Sequence, residues 1–496
     1  MPEHVIAIDA GTTGIRVNAY DRQAQRVHSR YREFAQHYPQ PGWVEHDAEE
    51  IWSVTRGLLQ EVVREVGGPA AVAGIGITNQ RETALIWERQ GGRPLGRAIV
   101  WQDRRTRDLC QEHEAAGHGA ELRRRTGLLL DAYFSGTKLQ WLIRHHGEIR
   151  RRVRQAPEEL CCGTIDSWLA FRLSGGRAHV TDPTNASRTL LYDIEQRCFC
   201  EDLAALFELP PVMLPRVVGS AEVYGESAPE LLGAPVPLGG IAGDQQAALF
   251  GQGCVEPGSS KNTYGTGCFA LIQCGSERPA EPRGLVTTIA CGPGGEATYA
   301  LEGSVFIAGA VVQWLRDGLG VLQTAAESES LARSVPDSGG VYFVPAFAGL
   351  GAPYWDMDAR GAILGLTRGS TRAHIVRAAL EAICYQSRDL LEALEAASGR
   401  EIPELRIDGG AVENALLCQL QADLLGKPCV RPADIETTAR GAAFLCGLAT
   451  GFWGSFAEIE PLVHQAERRF EPGLAPERRE ALYRGWQQAV ARVRSR

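Results

Sequence analysis

Lysine is almost missing from this 496-residue chain: Lys138, Lys261 and Lys427 are three of 51 basic residues, and the rest are arginines. The one Gly-Lys pair, Gly426-Lys427, runs into Pro428 where a Walker loop needs a hydroxyl residue. That excludes a P-loop nucleotidase. The G-x-G-x-x-G and G-x-S-x-G patterns and the protein-kinase signature set are missing too, which removes the dinucleotide-binding, serine-hydrolase and protein-kinase readings. Long apolar runs are lacking: the stretch Val305–Leu315 is broken by Gln313, and none approaches the ~18 residues of a spanning helix. The opening, Met1–Ala10, has neither a basic start nor a long apolar core, so a secretory leader and membrane insertion are not expected.

Excess positive charge is absent as well. The net charge is -9 and the pI about 5.8, so no general field draws in nucleic acid. Arg123–Arg125 and Arg150–Arg152 are short clusters without aromatic neighbours for base stacking, as on solvated helix faces. The 13 cysteines form neither a zinc spacing nor a disulfide framework: Cys161-Cys162 and Cys198-Phe199-Cys200 are the only close sets. Free thiols in a reducing cytoplasm are expected.

What is present is ordinary globular material, 44% hydrophobic and 22% charged. The length suits two or three domains at ~150 residues each. Period-two apolar segments alternate with helical ones throughout, which argues an α/β architecture. The opening reads as strand, Gly/Thr turn and strand: Val5, Ile6 and Ile8, then Gly11-Thr12-Thr13-Gly14, then Ile15 and Val17. Ser259–Gln273 repeats that plan around Gly265-Thr266-Gly267. Two such hairpins half a chain apart suggest a duplicated fold with a nucleotide between the halves. A boundary near residue 250 follows, giving domains 1–250 and 251–496, joined by a short hinge whose interface should be Gly-rich and polar. Arg372–Ala397 has helical spacing, with Ser370/Thr371 as caps and Gly399 as stop.

Four segments could carry chemistry. In Asp9-Ala10-Gly11-Thr12-Thr13-Gly14, close backbone N–H groups and two hydroxyls suit anionic oxygens, with Asp9 and Arg16 adding charge; an ordinary β-turn is the alternative. Asp244 stands at a strand-to-helix corner, as a helix cap or as a carboxylate taking a proton from a hydroxyl. Arg81-Glu82 could grip a polyol from both sides or form a surface ion pair. Trp101, Tyr133 and Phe269 default to core aromatics.

Together these segments resemble the FGGY carbohydrate kinase family, and within it the members acting on glycerol. Tyr133–Leu142 matches the first family signature; Gly361–Leu366 through His374-Ile375 and Ala378–Glu381 matches the second. Further matches are Gly42–Asp47, Ile77–Thr83, Trp101–Thr106, Gly243–Gly251 and Lys261–Phe269. The resemblance implies two actin- or hexokinase-like (RNase H-like) α/β domains closing on a catalytic cleft. It also implies ATP-dependent phosphorylation of glycerol to sn-glycerol 3-phosphate in the cytoplasm, by a homo-oligomer (dimer or tetramer). The glycerol site would be Arg81, Glu82, Tyr133, Asp244 and Gln245, walled by Trp101 and Phe269, with Asp244 as general base. The nucleotide would contact Thr12, Thr13, Gly14 and Arg16 from one domain and Thr266, Gly309, Gln313, Gly410 and Asn414 from the other. Asp9 would hold Mg²⁺ through water.

The chain departs from the usual opening of these members, with Ala10 in place of Gln and Gly14 in place of Ser. The missing hydroxyl removes one phosphate donor, a net hydrogen bond of ~1 kcal/mol. The segment Glu222–Gly240 contains no His, so the phosphorylatable His that some relatives carry there for carrier-protein control has no counterpart. An FGGY kinase for another polyol or ketose, and a non-catalytic actin-like ATP-binding module, are the competing readings.

Overall fold

Two mixed sheets organise the computed structural model, which describes residues 2–280 and 284–495. The first contains β1 (His4–Ala10), β2 (Gly14–Tyr20), β3 (Arg26–Glu33), β4 (Val72–Asn79), β5 (Val223–Glu226) and β6 (Pro237–Gly243), in the order β5-β6-β4-β1-β2-β3. The second contains β7 (Ser260–Tyr264), β8 (Cys268–Gly275), β9 (Val286–Cys291), β10 (Ala297–Val305), β11 (Leu405–Asp408), β12 (Cys429–Arg431) and β13 (Arg468–Phe470), in the order β9-β10-β8-β7-β11-β12-β13. A hairpin, β1-β2 or β7-β8, is joined in each sheet by a parallel strand, β4 or β11, on its first arm. The duplication suggested by the two Gly/Thr turns is therefore present in strand order and sense.

Parallel pairing brings three strand ends into line. Asp9 on β1 is level with Thr78 on β4, and Thr78 with Ala242 on β6. The chain leaves β4 into Gln80-Arg81-Glu82 and leaves β6 into the helix Asp244–Gly251, while β1 runs into the first hairpin turn. Ligands of open α/β sheets bind outside the carboxyl ends of such strands.

Helices cover the faces for local reasons. The helix α1 (Ala48–Glu65) is started by Asp47, whose side chain accepts from the N–H groups of Glu49 and Glu50, and it buries Ile51, Leu58, Leu59 and Val62. α2 is Asp244–Gly251 and α3 is Gly309–Asp317. α4 spans Arg372–Ser398; Thr371 forms a capping box with His374, and Gly399 ends it at φ 65°. α5 is Ala415–Leu425. α6 (Thr437–Thr450) comes late in the chain yet packs on β1, β4 and β6 of the first sheet and along α2.

The seam between the halves corrects one expectation. Where α6 meets the first sheet and α2 it is apolar: Val5, Ala7, Ala242, Ala247, Phe250, Ala439, Ala442, Phe444 and Cys446 form one buried cluster. Glycine is present there for close approach. A Cβ on Gly441 would lie 1.8 Å from the Ala247 carbonyl oxygen, and one on Gly251 would lie 2.2 Å from that of Thr437. The guanidinium buried at this contact is paired with backbone: Arg440 Nε donates to the Gly251 carbonyl at 3.1 Å. All 13 cysteines are free, and all but Cys198 are buried. Among the described residues no helix is long and apolar enough to cross a membrane.

Gly441→Ala should force α2 and α6 apart. The expected loss is about 2–3 kcal/mol, as for overpacking of a filled interior, measured by urea denaturation. A stability equal to wild type would show that the seam can yield.

Candidate active site

The turn after β4 sets the site. Glu82 has φ 63°, and the Thr83 N–H donates to the Arg81 carbonyl at 2.7 Å across it. A bulky non-glycine residue in this region costs on the order of 1 kcal/mol or more and is held only by its surroundings. Ser135 Oγ donates to the Glu82 carbonyl at 3.0 Å. Arg188 Nε donates to its carboxylate at 2.7 Å.

Arg81 is almost fully buried. Its Nε lies 3.1 Å from Asp244 Oδ1, and Nη1 donates to Gln246 Oε1 at 3.2 Å. Both terminal nitrogens also donate to Glu302 on β10, Nη2 at 3.0 Å. Glu302 accepts from Arg188 Nη2 as well, at 3.0 Å. Two arginines of the first half are thus bridged by one carboxylate of the second. Burial alone would raise the Glu302 carboxyl, but Arg188 and Arg81 outweigh it and hold it at about 2. Glu82 moves the other way: burial raises it, and the same arginines only partly offset this. The asymmetry follows from geometry, because Glu302 receives both arginines whereas Glu82 stays 3.8 Å from Arg81.

Asp244 is the first residue of α2, with Gly243 in the cap position, so the cap reading for Asp244 is set aside. Its side chain keeps 30% of its surface accessible. Burial raises its carboxyl, opposed by Arg81 and Lys261. Gln245 accepts a hydrogen bond from Lys261 Nζ.

Trp101, Tyr133 and Phe269 are only partly buried, so they are not core aromatics. The Trp101 ring stands edge-on to Tyr133 at 5.6 Å and to Phe269 at 6.4 Å. Its indole Nε1 donates to Thr12 Oγ1 at 2.9 Å. The aromatic wall therefore touches the first Gly/Thr hairpin. In that hairpin Thr12 is half-buried and Thr13 exposed. A Cβ on Gly14 would lie 2.7 Å from both the Arg32 carbonyl oxygen and the Tyr31 hydroxyl, so serine has no room here. Arg16 lies over the Tyr31 ring at 5.0 Å and pairs with Glu436 at 3.1 Å. Ala10 is fully buried, and two side-chain amides reach the hairpin: Gln80 Nε2 donates to the Gly11 carbonyl at 3.0 Å and Gln36 Nε2 to that of Thr12 at 3.0 Å. Asp9 is pushed up to about 7 by burial, then by Glu436 and Asp244, with Arg16 opposing.

The second hairpin sits on the start of α3. The Gly309 N–H donates to the Gly265 carbonyl at 2.9 Å, and the Ala308 N–H to that of Thr266 at 2.8 Å. A Cβ on Gly309 would come within 2.6 Å of the Gly265 oxygen and 4.0 Å of Ala411, which joins Thr266, Gly309 and the turn after β11. Gln313 is exposed on α3 and Gly410 opens that turn. The side chain of Asn414 is engaged structurally: it caps α5 through the Leu417 N–H at 3.0 Å and donates to Ser328 Oγ at 3.3 Å.

Sequence reasoning passed over Arg188, Glu302, Gln246 and the role of Lys261. One signal was available for Glu302: a lone charge in the otherwise neutral strand Ala297–Val305, since charges are almost never fully buried unless paired. Arg188 carried no comparable mark.

The N-terminal domain of the FGGY family of carbohydrate kinases matches residues 4–251, and its C-terminal domain matches residues 260–450. The chain belongs to the FGGY family of carbohydrate kinases. It is 56% identical over 491 residues to the glycerol kinase of Dechloromonas aromatica, covering 99% of this chain and 97% of that protein. To the glycerol kinase of Carboxydothermus hydrogenoformans it is 54% identical over 494 residues, covering 99% and 98%. Its structure resembles that of Plasmodium falciparum glycerol kinase with ADP at a TM-score of 0.91 and 35% identity, covering 99% and 98%. A xylulose kinase from Lactobacillus acidophilus shares the fold at a TM-score of 0.87 and 21% identity, covering 99% and 97%.

Glu302→Gln should expose the buried ion pairs. Because the folded carboxyl lies near 2 against an ordinary 4.5, its contribution is complete above pH 4.5 and lost as pH falls toward 2. The expected deficit is about 3 kcal/mol at pH 7, shrinking as pH falls from 4.5 to 2. Urea denaturation of both proteins at pH 7 and pH 3 measures it; a pH-independent deficit would remove the charge from the explanation.

Proposed function

We propose that this chain transfers the γ-phosphoryl group of ATP to a primary hydroxyl of glycerol, giving sn-glycerol 3-phosphate and ADP. One observation carries the reading: the Arg81–Glu82–Asp244 cluster and the aromatic wall meet the first hairpin through the Trp101–Thr12 hydrogen bond. A small polyol needs donors, acceptors and a short apolar surface. This site supplies them from Arg81, Glu82 and Gln245 on one side and from Trp101, Tyr133 and Phe269 on the other. The relatives named above support the substrate, and the Plasmodium protein with its ADP supports the nucleotide.

In the reaction the glycerol oxygen bonds to the γ-phosphorus as the bond to the β-phosphate oxygen breaks. The hydroxyl proton passes to Asp244, and Arg81 keeps that carboxylate oriented. Positioning and charge neutralisation make up most of the catalysis. Thr12, Thr13, the Gly14 N–H and Arg16 would hold phosphate oxygens from the first half. Thr266, Gly309, Gln313, Gly410 and Asn414 would hold the nucleotide from the second, so the working division falls near residue 250. For Asn414 the second amide N–H and the oxygen's second lone pair are open to a ligand.

A divalent cation fits beside Asp9. Among the described residues no three His, Cys, Asp or Glu side chains gather as a metal-binding group, but Mg²⁺ commonly uses one carboxylate, water and substrate phosphates. Asp9, pushed toward neutrality beside Glu436 and Asp244, is a carboxylate that a cation would relieve. Mg²⁺ there would neutralise charge on the transferring phosphate. The free thiols agree with a cytoplasmic setting.

Asp244→Asn should cut kcat by ~100-fold or more while glycerol affinity stays within a few-fold, measured by coupled ADP release across a polyol panel and by calorimetry. A near-normal kcat would take Asp244 out of the mechanism. Arg81→Ala should raise the KM for glycerol ~10-fold or more, equivalent to ~1–3 kcal/mol, and leave the KM for ATP nearly unchanged. Equal rises in both would point to a folding defect.

A further inference from the structure

A chain that uses arginine at nearly every basic position keeps lysine where a guanidinium will not serve. Lys427 pairs with Glu395 near the surface. Lys138 is fully buried and spends its three donors on the carbonyls of Ala132, Tyr133 and Phe134, pinning the loop that carries Tyr133. Lys261 is also fully buried, but its setting differs. It projects from β7 of the second half, donating to Gln245 Oε1 of the first half and to Thr263 Oγ1 at 2.7 Å. An ammonium has three donors, so one is left for a ligand.

Arg81, Arg188 and Lys261 face the carboxylates of Glu82, Asp244 and Glu302, with Asp408 a fourth beside Lys261. Asp244 is influenced by Arg81 after β4, Lys261 on β7 and Glu302 on β10, and it in turn acts on Asp9 of β1. Lys261 also feels Asp408 at the end of β11, and burial pulls its ammonium down to about 8. Arg81 already presents its planar fork to Glu302 and its Nε to Asp244. A second fork at position 261 would need more room than a fully buried site offers, whereas a compact ammonium fits.

We infer that Lys261 is a positioning residue of the phosphoryl-transfer site: its ammonium holds the Gln245 side chain toward the polyol and balances the charge of Asp244. The inference rests on the functional reading above. Without Lys261 the buried set carries a net negative charge, which makes Asp244 easier to protonate and a poorer acceptor for the hydroxyl proton.

The test uses the full chain with Lys261→Met and Lys261→Arg, assayed for kcat, both KM values and the pH dependence of kcat. In K261M, kcat should fall ~100-fold and its acid limb should move upward by about one pH unit, a shift that loss of packing alone would not produce. In K261R the acid limb should stay in place while the glycerol KM rises ~10-fold and the ATP KM does not. A folded K261M with kcat within threefold of wild type overturns the inference. If K261M does not fold, K261R decides: kcat and glycerol KM within twofold of wild type overturn it. A wild type that fails to phosphorylate glycerol overturns the functional reading and this inference with it; an active wild type indifferent to both substitutions overturns this inference alone.

Discussion

The carboxylate of Glu302, held between Arg81 and Arg188, is the contact on which the site depends. It belongs to a central strand of the second sheet, and both arginines belong to the first half. Taken singly, each of these charges is costly to bury. Taken together they are mutually compensated, and the arrangement exists only when the two sheets meet. Arg81 can therefore present its Nε to Asp244 because its other nitrogens are occupied from across the cleft. Glu82 is oriented by the same neighbour, through Arg188. Orientation of the Arg81–Glu82–Asp244 cluster and assembly of the halves are two aspects of one ion-pair network.

The first Gly/Thr hairpin shows how a local departure is absorbed. Where related openings carry serine, Gly14 leaves space that Tyr31 of β3 occupies, and the Tyr31 ring in turn supports Arg16. A hydroxyl lost from the turn is accompanied by an ordered guanidinium beside it. The Glu436 partner of Arg16 comes from the residue before α6, so this hairpin, like the Arg81–Glu82–Asp244 cluster, is completed from the second half of the chain.

Much of this was legible in the primary structure, and the limits have a physical pattern. The β1-β2 and β7-β8 hairpins announce themselves by alternation and Gly/Thr turns, and α4 by its spacing and caps, because those signals are local. Asp244, Arg81 and Glu82 stood out because they sit where strands end. Arg188 and Glu302 did not, since a buried ion pair is defined by partners more than a hundred positions apart. The apolar seam was missed for a related reason: the glycines near residue 250 looked like hinge punctuation, whereas the matching Gly441 that explains them lies in another helix. Asn414 shows the converse, a position picked by resemblance whose side chain also has a structural role in capping α5.

The placement of α6 has a consequence for synthesis. The face of β1, β4 and β6 that α6 covers is complete once Gly243 has been translated, but its covering helix begins only at Thr437. At ordinary elongation rates of about 5–20 residues per second, that face waits roughly 10–40 s on the ribosome. During that interval Val5, Ala7 and Ala242 lack the side chains that bury them in the finished molecule. The first half is thus an open sheet in need of shelter until the chain is almost entirely made, and the two halves mature as one unit.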